Sequence, residues 1–275
     1  MFQKLSRPSR TARLLVCTSV LMLAAGLGSC TSPGLSDITG SIDDKAEVSR
    51  TGDPRRDIET YQEQYRANPK DADAALRYGK ALRATGQRSQ AVAVLERATI
   101  AHPSNRLLLA AYGRALADNG NFQQAFDVLG RAHSPDDPDW RLLSAQGATL
   151  DQLGRYEEAR QYYASALKIA PDQPLVLSNL GLSYALSKEL VRAEETLRRA
   201  HSLAGSDPRV RANLALVVGL QGNFAEAEKI AKADLPPAEA AANVAQLKRM
   251  LSRKDKESAR AEAGKMPIAG AGRSE

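Results

Sequence analysis

The chain has 275 residues, enough for a sizeable core, yet only 5% of them are aromatic, so that core must be built mainly from Ala, Leu and Val. Abundant alanine and the lack of alternating β-branched runs favour an all-α protein. The formal net charge is +6, and most of it comes from four residues near the amino terminus, Lys4, Arg7, Arg10 and Arg13. Because the rest of the chain is nearly balanced in charge, it offers no basic stripe for phosphates, and we expect no nucleic-acid partner.

The amino-terminal segment has the layout of a bacterial secretory signal. Its basic part runs into an apolar stretch that ends at Gly26 and is shorter than the ~20 residues that a membrane-spanning helix needs. The small residues Gly28 and Ser29 then let an extended backbone enter a peptidase before Cys30. We therefore predict that residues 1–29 are a signal peptide that is removed.

The residues Leu27-Gly28-Ser29-Cys30 resemble the lipobox of bacterial lipoproteins. The resemblance implies a diacylglycerol on the Cys30 thiol and palmitate or another acyl chain on the new amino group, which together anchor a protein stably. Thr31 stands where an Asp would retain an enteric lipoprotein at the inner membrane. The resemblance thus implies the periplasmic face of the outer membrane, with the inner-membrane leaflet as the alternative. An ordinary secretory signal with an incidental cysteine is the other interpretation.

The sequence that follows the predicted cleavage site indicates a flexible tether. Residues 30–53 are rich in Ser, Gly, Thr and Asp and show no apolar periodicity. A tether of this kind reaches about 25 Å, so the folded part could meet a partner away from the bilayer. Cys17 and Cys30 are the only cysteines, and processing would leave no thiol for a disulfide, a zinc site or a nucleophile.

A repeat of 34 residues runs through the middle of the chain and determines its architecture. Small residues hold one position of every unit: Gly79, Gly113, Gly147, Gly181 and Ala215. Alanine recurs twelve residues after each of them, at Ala91, Ala125, Ala159, Ala193 and Ala227. A large apolar residue follows in the first four units, at Leu95, Leu129, Tyr163 and Leu197. Turn glycines stand in between, at Gly86, Gly120, Gly154 and Gly222, with Lys188 in the fourth unit.

This pattern resembles the tetratricopeptide repeat, whose 34 residues form two antiparallel helices, over residues 72–240. The resemblance implies an all-α, superhelical tetratricopeptide-repeat solenoid of about five repeats with capping helices. The small residues leave no bulk where two helices cross, so that their backbones approach closely. Turn glycine ends the first helix of each unit. Lys188 and Asp234 depart from the pattern in the last two repeats.

Both ends of the array carry sequence that fits a cap. Residues 54–71 fit the lone second helix of a degenerate repeat, which we predict to be a capping half-repeat. Residues 241–252 predict a closing helix with Val244, Leu247 and Leu251 on its apolar face. Residues 253–275 are polar and rich in Gly and Ala, and we predict that they form a disordered tail.

The sequence contains no recognisable catalytic arrangement. Its three histidines, His102, His133 and His201, are at least 31 residues apart and each lies near the end of a predicted second helix. Motifs for nucleophilic catalysis, phosphate binding or zinc-dependent hydrolysis are absent from the sequence. We therefore expect no enzymatic activity, no cofactor, no metal site and no small-molecule substrate.

The first helices of tetratricopeptide repeats line a concave groove, and the frame set by the glycines projects which residues face it. The projected peptide-binding groove consists of Lys80, Arg83, Arg114, Asp118, Arg141, Ser144, Asp151, Gln152, Ser178, Asn179, Leu182, Arg209, Asn213 and Leu216. Its first half is basic and polar and its second half more apolar, so a peptide with acidic and aliphatic portions would suit it. The alternative is that these residues form ordinary solvated helix faces.

A narrower resemblance concerns the last repeat. Residues 209–231, followed by Leu235-Pro236-Pro237 and Ala242-Asn243-Val244, resemble the TadD family of lipoproteins of tight-adherence (Flp) pilus assembly, and the similarity covers roughly residues 50–251. It implies a non-enzymatic periplasmic scaffold that assists the outer-membrane secretin in the manner of a pilotin and binds the secretin or a neighbouring component. The combination of lipid anchor and repeats also suits a general outer-membrane assembly or cell-wall-enzyme adaptor.

Overall fold

The computed structural model describes residues 54–204 and 207–263, all within one compact unit, Pro33–Glu275. The predicted signal peptide, the predicted lipidation site Cys30 and the predicted tether lie outside the described residues, as do residues 264–275 of the predicted tail. The described regular structure is helical, apart from one isolated bridge between Ser134 and Asp137. The all-α prediction is thus confirmed.

The described helices follow one another through short turns. They are α1 (Pro54–Ala67), α2 (Ala72–Ala84), α3 (Arg88–Ala101), α4 (Arg106–Asp118), α5 (Phe122–Arg131), α6 (Trp140–Gln152), α7 (Tyr156–Ile169), α8 (Pro174–Leu186), α9 (Leu190–Ala204), α10 (Pro208–Leu220), α11 (Phe224–Ala231) and α12 (Pro237–Ala263). Helices α2 to α11 form five consecutive hairpins. The first helices of neighbouring hairpins also contact each other, so that α2, α4, α6, α8 and α10 form one continuous layer.

Aspartate or asparagine side chains determine where most first helices begin. Asp71, Asn105, Asp139 and Asp207 precede α2, α4, α6 and α10, and each accepts a hydrogen bond from a backbone N–H of the first turn. Such a cap satisfies a donor that the helix itself leaves without a partner and contributes about 1 kcal/mol. At α8 the equivalent residue is Gln173, whose side chain makes no capping bond.

In each of the first four hairpins, the glycine that recurs every 34 residues in the first helix contacts the large residue of the second helix. A Cβ on Gly79 would lie 2.5 Å from Cγ of Leu95, which is closer than real Cβ contacts come. Gly113 and Gly181 face Leu129 and Leu197 in the same way. The two helices can therefore approach this closely only because the first one carries glycine there.

The turn within a hairpin needs one residue with a left-handed backbone. Gly154 has φ 74° in the third hairpin, and Lys188 has φ 67° at the corresponding place in the fourth. This conformation costs a residue with a Cβ roughly 1 kcal/mol, since the side chain approaches the following carbonyl oxygen. The departure noted at Lys188 therefore changes the energy of the turn and leaves its geometry intact.

The caps differ from the predicted boundaries at the carboxyl end. Helix α1 packs on α2, and α12 packs on α10 and α11. A Cβ on Gly219 of α10 would lie 2.6 Å from Cδ2 of Leu247, so the closing helix uses the same close approach as the hairpins. However, α12 begins at Pro237 rather than at 241 and ends at Ala263 rather than at 252. Proline is pre-organised for the first helical position, and the Ala, Glu, Lys and Arg residues of the extension are strong helix formers.

None of the described helices combines the length and the apolar character that crossing a bilayer would require.

Candidate peptide-binding groove

Five of the projected groove residues lie together in the wall of one cavity. Asp151 and Gln152 come from α6, Asn179 and Leu182 from α8, and Leu216 from α10. The cavity measures about 120 Å³. It is completed by residues that the projection missed, namely Ala148, Tyr163, Ala185, Leu186 and Leu220. We call this set of ten residues the α6–α10 pocket.

The pocket exists because one repeat carries smaller or more polar residues than the next two. Leu182 of α8 and Leu216 of α10 occupy the position that Ala148 holds in α6. One helical turn later, Gln152 of α6 corresponds to Leu186 and Leu220. Leu182, Leu186, Leu216 and Leu220 therefore form an apolar wall, while α6 contributes the smaller Ala148 and the polar Gln152 at the same positions. The projected groove includes this position in the second and third repeats, as Asp118 and Gln152, and applying it to the fourth and fifth repeats would have identified Leu186 and Leu220.

A buried carboxylate lies at the edge of this apolar wall. Asp151 is only 7% exposed. Its Oδ2 accepts a hydrogen bond from the Tyr163 hydroxyl at 2.7 Å, and its Oδ1 accepts one from the Ser183 hydroxyl at 2.6 Å. Tyr163 belongs to the same hairpin, whereas Ser183 belongs to α8. The carboxylate thus links the third repeat to the fourth.

Burial raises the pKa of Asp151 to about 6. Hydrogen bonds from Ser183 and Tyr163 and the charge of Arg160 act in the opposite direction, but loss of hydration outweighs them. The pKa of the Tyr163 hydroxyl is in turn well above its usual value, because that hydroxyl is buried next to the carboxylate. At neutral pH the pocket therefore contains an ionised carboxylate beside a neutral tyrosine.

Five of the projected groove residues are buried, namely Ser144, Asp151, Ser178, Asn179 and Asn213, and the assignment of the two serines to the groove is corrected by their contacts between helices. Ser144 is fully buried, and its hydroxyl oxygen accepts a hydrogen bond from Nδ2 of Asn179 at 3.1 Å. One repeat later, Ser178 is buried and accepts from Nδ2 of Asn213 at 2.9 Å. Small hydroxyl side chains at these positions let neighbouring first helices approach closely, so both serines join repeats rather than facing a ligand.

The charged residues of the first half of the groove largely contact the protein itself. Nε of Arg83 donates to Oδ2 of Asp118 at 2.7 Å, which connects α2 to α4, and both side chains are mostly buried. The guanidinium of Arg141 stacks over the ring of Trp140, with 4.4 Å to the ring centre. At the other end of the groove, Arg209 of α10 likewise pairs with Asp207, the residue that caps its own helix. Lys80 and Arg114 are half-buried in α2 and α4. The projected basic character of this half is therefore reduced by pairing.

Within the described part of the chain, no group of three or more His, Cys, Asp or Glu side chains is arranged to hold a metal ion. His133 donates or accepts through Nε2 to Oε1 of Gln146 at 2.9 Å, and His102 contacts the backbone oxygen of Lys70 at 2.7 Å. Both histidines lie just after the end of a second helix, where His102 contacts the turn before α2 and His133 contacts α6.

Comparison with known proteins identifies the repeat. A tetratricopeptide-repeat model matches residues 51–115, 116–180 and 150–217, and a second tetratricopeptide-repeat model matches residues 208–231. Together these matches cover more than half of the chain. No curated protein matches the sequence significantly.

Solved structures of low sequence identity share the fold. PilW, described as a widely conserved type IV pilus biogenesis factor, superimposes with a TM-score of 0.62 at 18% identity, over 78% of this chain and 99% of PilW. PilF of Pseudomonas aeruginosa gives a TM-score of 0.52 at 21% identity, over 68% of this chain and 96% of PilF. A chain of the APC/C hetero-tetramer Cut9-Hcn1 gives 0.57 at 17% identity, over 72% of this chain but only 40% of that chain. At these identities the likeness establishes the fold alone.

Proposed function

Because the chain belongs to the tetratricopeptide-repeat family, whose domains bind protein partners, we propose that it is a non-enzymatic scaffold that holds a protein segment in the groove of its first helices. The observation that carries this proposal is the α6–α10 pocket, where three successive first helices leave an apolar cavity open to a ligand. Pockets of this kind, apolar with a few convergent polar groups, are typical binding sites.

We further propose that the scaffold is an outer-membrane lipoprotein, anchored through Cys30, that assists assembly of the tight-adherence (Flp) pilus. Support comes from the lipobox resemblance and from the resemblance of residues 209–244 to the TadD family. The fold shared with PilW, which is described as a type IV pilus biogenesis factor, is compatible with such a role. The proposed partner is the secretin or a neighbouring component of the pilus machinery.

A deletion strain tests the pilus role. We expect loss of surface pili with unchanged pilin levels, and restoration of pili by the wild-type gene. Complementation with Leu216→Glu should fail, because the new carboxylate would enter the apolar wall of the pocket beside Asp151. The matched control is Val191→Glu, which places the same change on a second helix at a residue that is 66% exposed. Normal piliation in the deletion strain would show that the proposed pathway is wrong.

The anchor is tested separately with Cys30→Ser. We expect this variant to lose incorporation of a labelled palmitate and to leave the outer-membrane fraction. A wild-type protein that remains unlabelled and soluble would support the ordinary secretory signal instead. The general adaptor would be favoured over the pilus scaffold by two results together. The wild-type protein would recover barrel-assembly or cell-wall enzymes in a pull-down, and the deletion strain would have normal pili.

A further inference from the structure

The α6–α10 pocket joins two features that a single ligand group could satisfy together. Leu182, Leu186, Leu216 and Leu220 supply an apolar wall, and Asp151 supplies a carboxylate next to it. A cavity of about 120 Å³ is near the size of engineered cavities that admit a benzene-sized group, so it holds one side chain rather than a length of peptide.

The carboxylate of Asp151 forms no ion pair with any of the described residues. Its two oxygens accept from neutral hydroxyls, those of Tyr163 and Ser183. Arg160 lowers the pKa of Asp151 through its charge, but its guanidinium is hydrogen bonded to Glu157 and Ser187 instead. A buried carboxylate without a cation is costly, and pairing with a cationic ligand would offset that cost.

Other oxygen atoms around the pocket suit the same ligand. Asn179 lines the cavity and donates its Nδ2 to Ser144, and its amide oxygen takes no part in that bond. The amide of Gln152, which also lines the cavity, offers another oxygen. An ammonium group has three protons to donate, and a carboxylate with two amide oxygens provides the matching acceptors.

Building on the proposed function, we infer that the pocket binds a lysine side chain of the partner segment, with its methylenes against the four leucines and its ammonium group at Asp151. Lysine suits this site because it combines a flexible apolar stem with a compact charge. Arginine would present a planar fork that needs both carboxylate oxygens at once for a bidentate pair, and each of them already accepts a hydroxyl, whereas an ammonium group needs only one of the remaining lone pairs.

Small molecules test this inference without knowledge of the partner. The full chain is titrated with n-pentylamine, which reproduces the lysine side chain together with its Cα, and with n-pentanol and n-pentanoate as probes of similar length. Binding is followed through the NMR signals of the leucine methyl groups of the pocket. At about pH 7.5, where Asp151 is ionised, we expect the amine to bind at least about tenfold more tightly than the alcohol and pentanoate not to bind.

Two variants separate the role of Asp151 from general charge effects. In Asp151→Asn the preference for the amine over the alcohol should disappear, while binding of the alcohol persists and shows that the pocket is intact. Glu195→Gln, which removes an exposed carboxylate from α9, should leave the preference unchanged. The preference should also shrink at about pH 5, because protonation of Asp151 removes the charge.

Equal binding of amine and alcohol by the wild-type chain would overturn the inference, as would an amine preference that survives Asp151→Asn. These results are independent of the piliation experiment. If the amine preference is absent and Leu216→Glu still abolishes piliation, the lysine inference fails and the scaffold stands. If the amine binds at Asp151 and Leu216→Glu supports normal piliation, the proposed function fails.

Discussion

The Tyr163 hydroxyl donates a 2.7 Å hydrogen bond to Oδ2 of Asp151, and the same tyrosine fills the space that Gly147 leaves in the third hairpin. Leucine holds this position in the first, second and fourth hairpins. Tyrosine at this one position thus packs a hairpin and at the same time positions the carboxylate of the α6–α10 pocket.

The buried carboxylate makes stability depend on pH in a defined window. The pKa of Asp151 is about 6 in the folded protein and near its ordinary value of 3.8 when unfolded. As the pH rises from about 4 to about 6, the unfolded chain ionises first, so the free energy of unfolding decreases, by about 3 kcal/mol in total. Below this window Asp151 is protonated in both the folded and the unfolded chain, and above it Asp151 is ionised in both.

In the Asp151→Asn variant, the free energy of unfolding should not show this decrease, because asparagine does not ionise. Urea unfolding of the two proteins at about pH 4 and about pH 7 should therefore show the variant gaining roughly 3 kcal/mol relative to wild type at the higher pH. Using the difference between the proteins removes the contribution of other carboxylates. A difference that stays constant across the window would contradict the assignment of a raised pKa to Asp151.

The strained turn at Lys188 offers a stabilising substitution. Lys188→Gly should raise the free energy of unfolding by about 1 kcal/mol, because glycine adopts the left-handed backbone without steric cost. The reverse change, Gly154→Lys, places lysine in the equivalent turn and should destabilise by a similar amount. Chemical denaturation measures both. Destabilisation by Lys188→Gly would mean that the lysine side chain makes a compensating contact.

Close approach within a hairpin is tested by a double-mutant cycle at Gly79 and Leu95. Gly79→Ala should cost about 2 kcal/mol, since its Cβ would overlap Leu95. In a Leu95→Ala background the same change should cost little, because the overlapping atoms are gone and alanine favours the helix. The fifth repeat carries this alanine pair naturally, as Ala215 and Ala231. If the cost of the double substitution equals the sum of the two single costs to within about 0.5 kcal/mol, the two sites do not interact.

The amino-terminal end of α8, which Gln173 leaves without a side-chain cap, can be stabilised by substitution. Gln173→Asp should stabilise the protein by about 0.5 to 1 kcal/mol, because Asp caps α6 and α10 at the equivalent position and also interacts favourably with the helix dipole. Asp139→Ala provides the comparison and should cost about 1 kcal/mol. A thermal midpoint that is unchanged in Gln173→Asp would indicate that the backbone before α8 prevents capping.

The 34-residue period was sufficient to predict the hairpins, because the residues that repeat are the ones at which helices touch. Gly79 and Leu95 illustrate this, because the large side chain of Leu95 fills the space that the missing side chain of Gly79 leaves. The α6–α10 pocket was predicted in part. Asp151, Gln152, Asn179, Leu182 and Leu216 were projected onto the groove, but Leu186 and Leu220 were not, because their frame position was projected only in the second and third repeats, where it is polar.

The prediction was weakest for residues whose roles depend on contacts between repeats. Ser144 looked like a groove residue in the helical frame, yet it is covered by Asn179 of the next first helix. Arg83 and Asp118 were projected as separate charges, although they are paired across 35 positions of the chain. A period locates a residue on its own helix, whereas pairing depends on the angle and distance between two helices, which a single sequence does not specify.

Site-specific photo-crosslinking in living cells tests the central claim most directly. A photoreactive residue in place of Leu216, on the wall of the pocket, should crosslink to the secretin or to another component of the pilus machinery. The same residue in place of Val191, exposed on α9, should not. Crosslinks to a pilus component from position 191 and none from position 216 would contradict the groove of first helices as the binding surface.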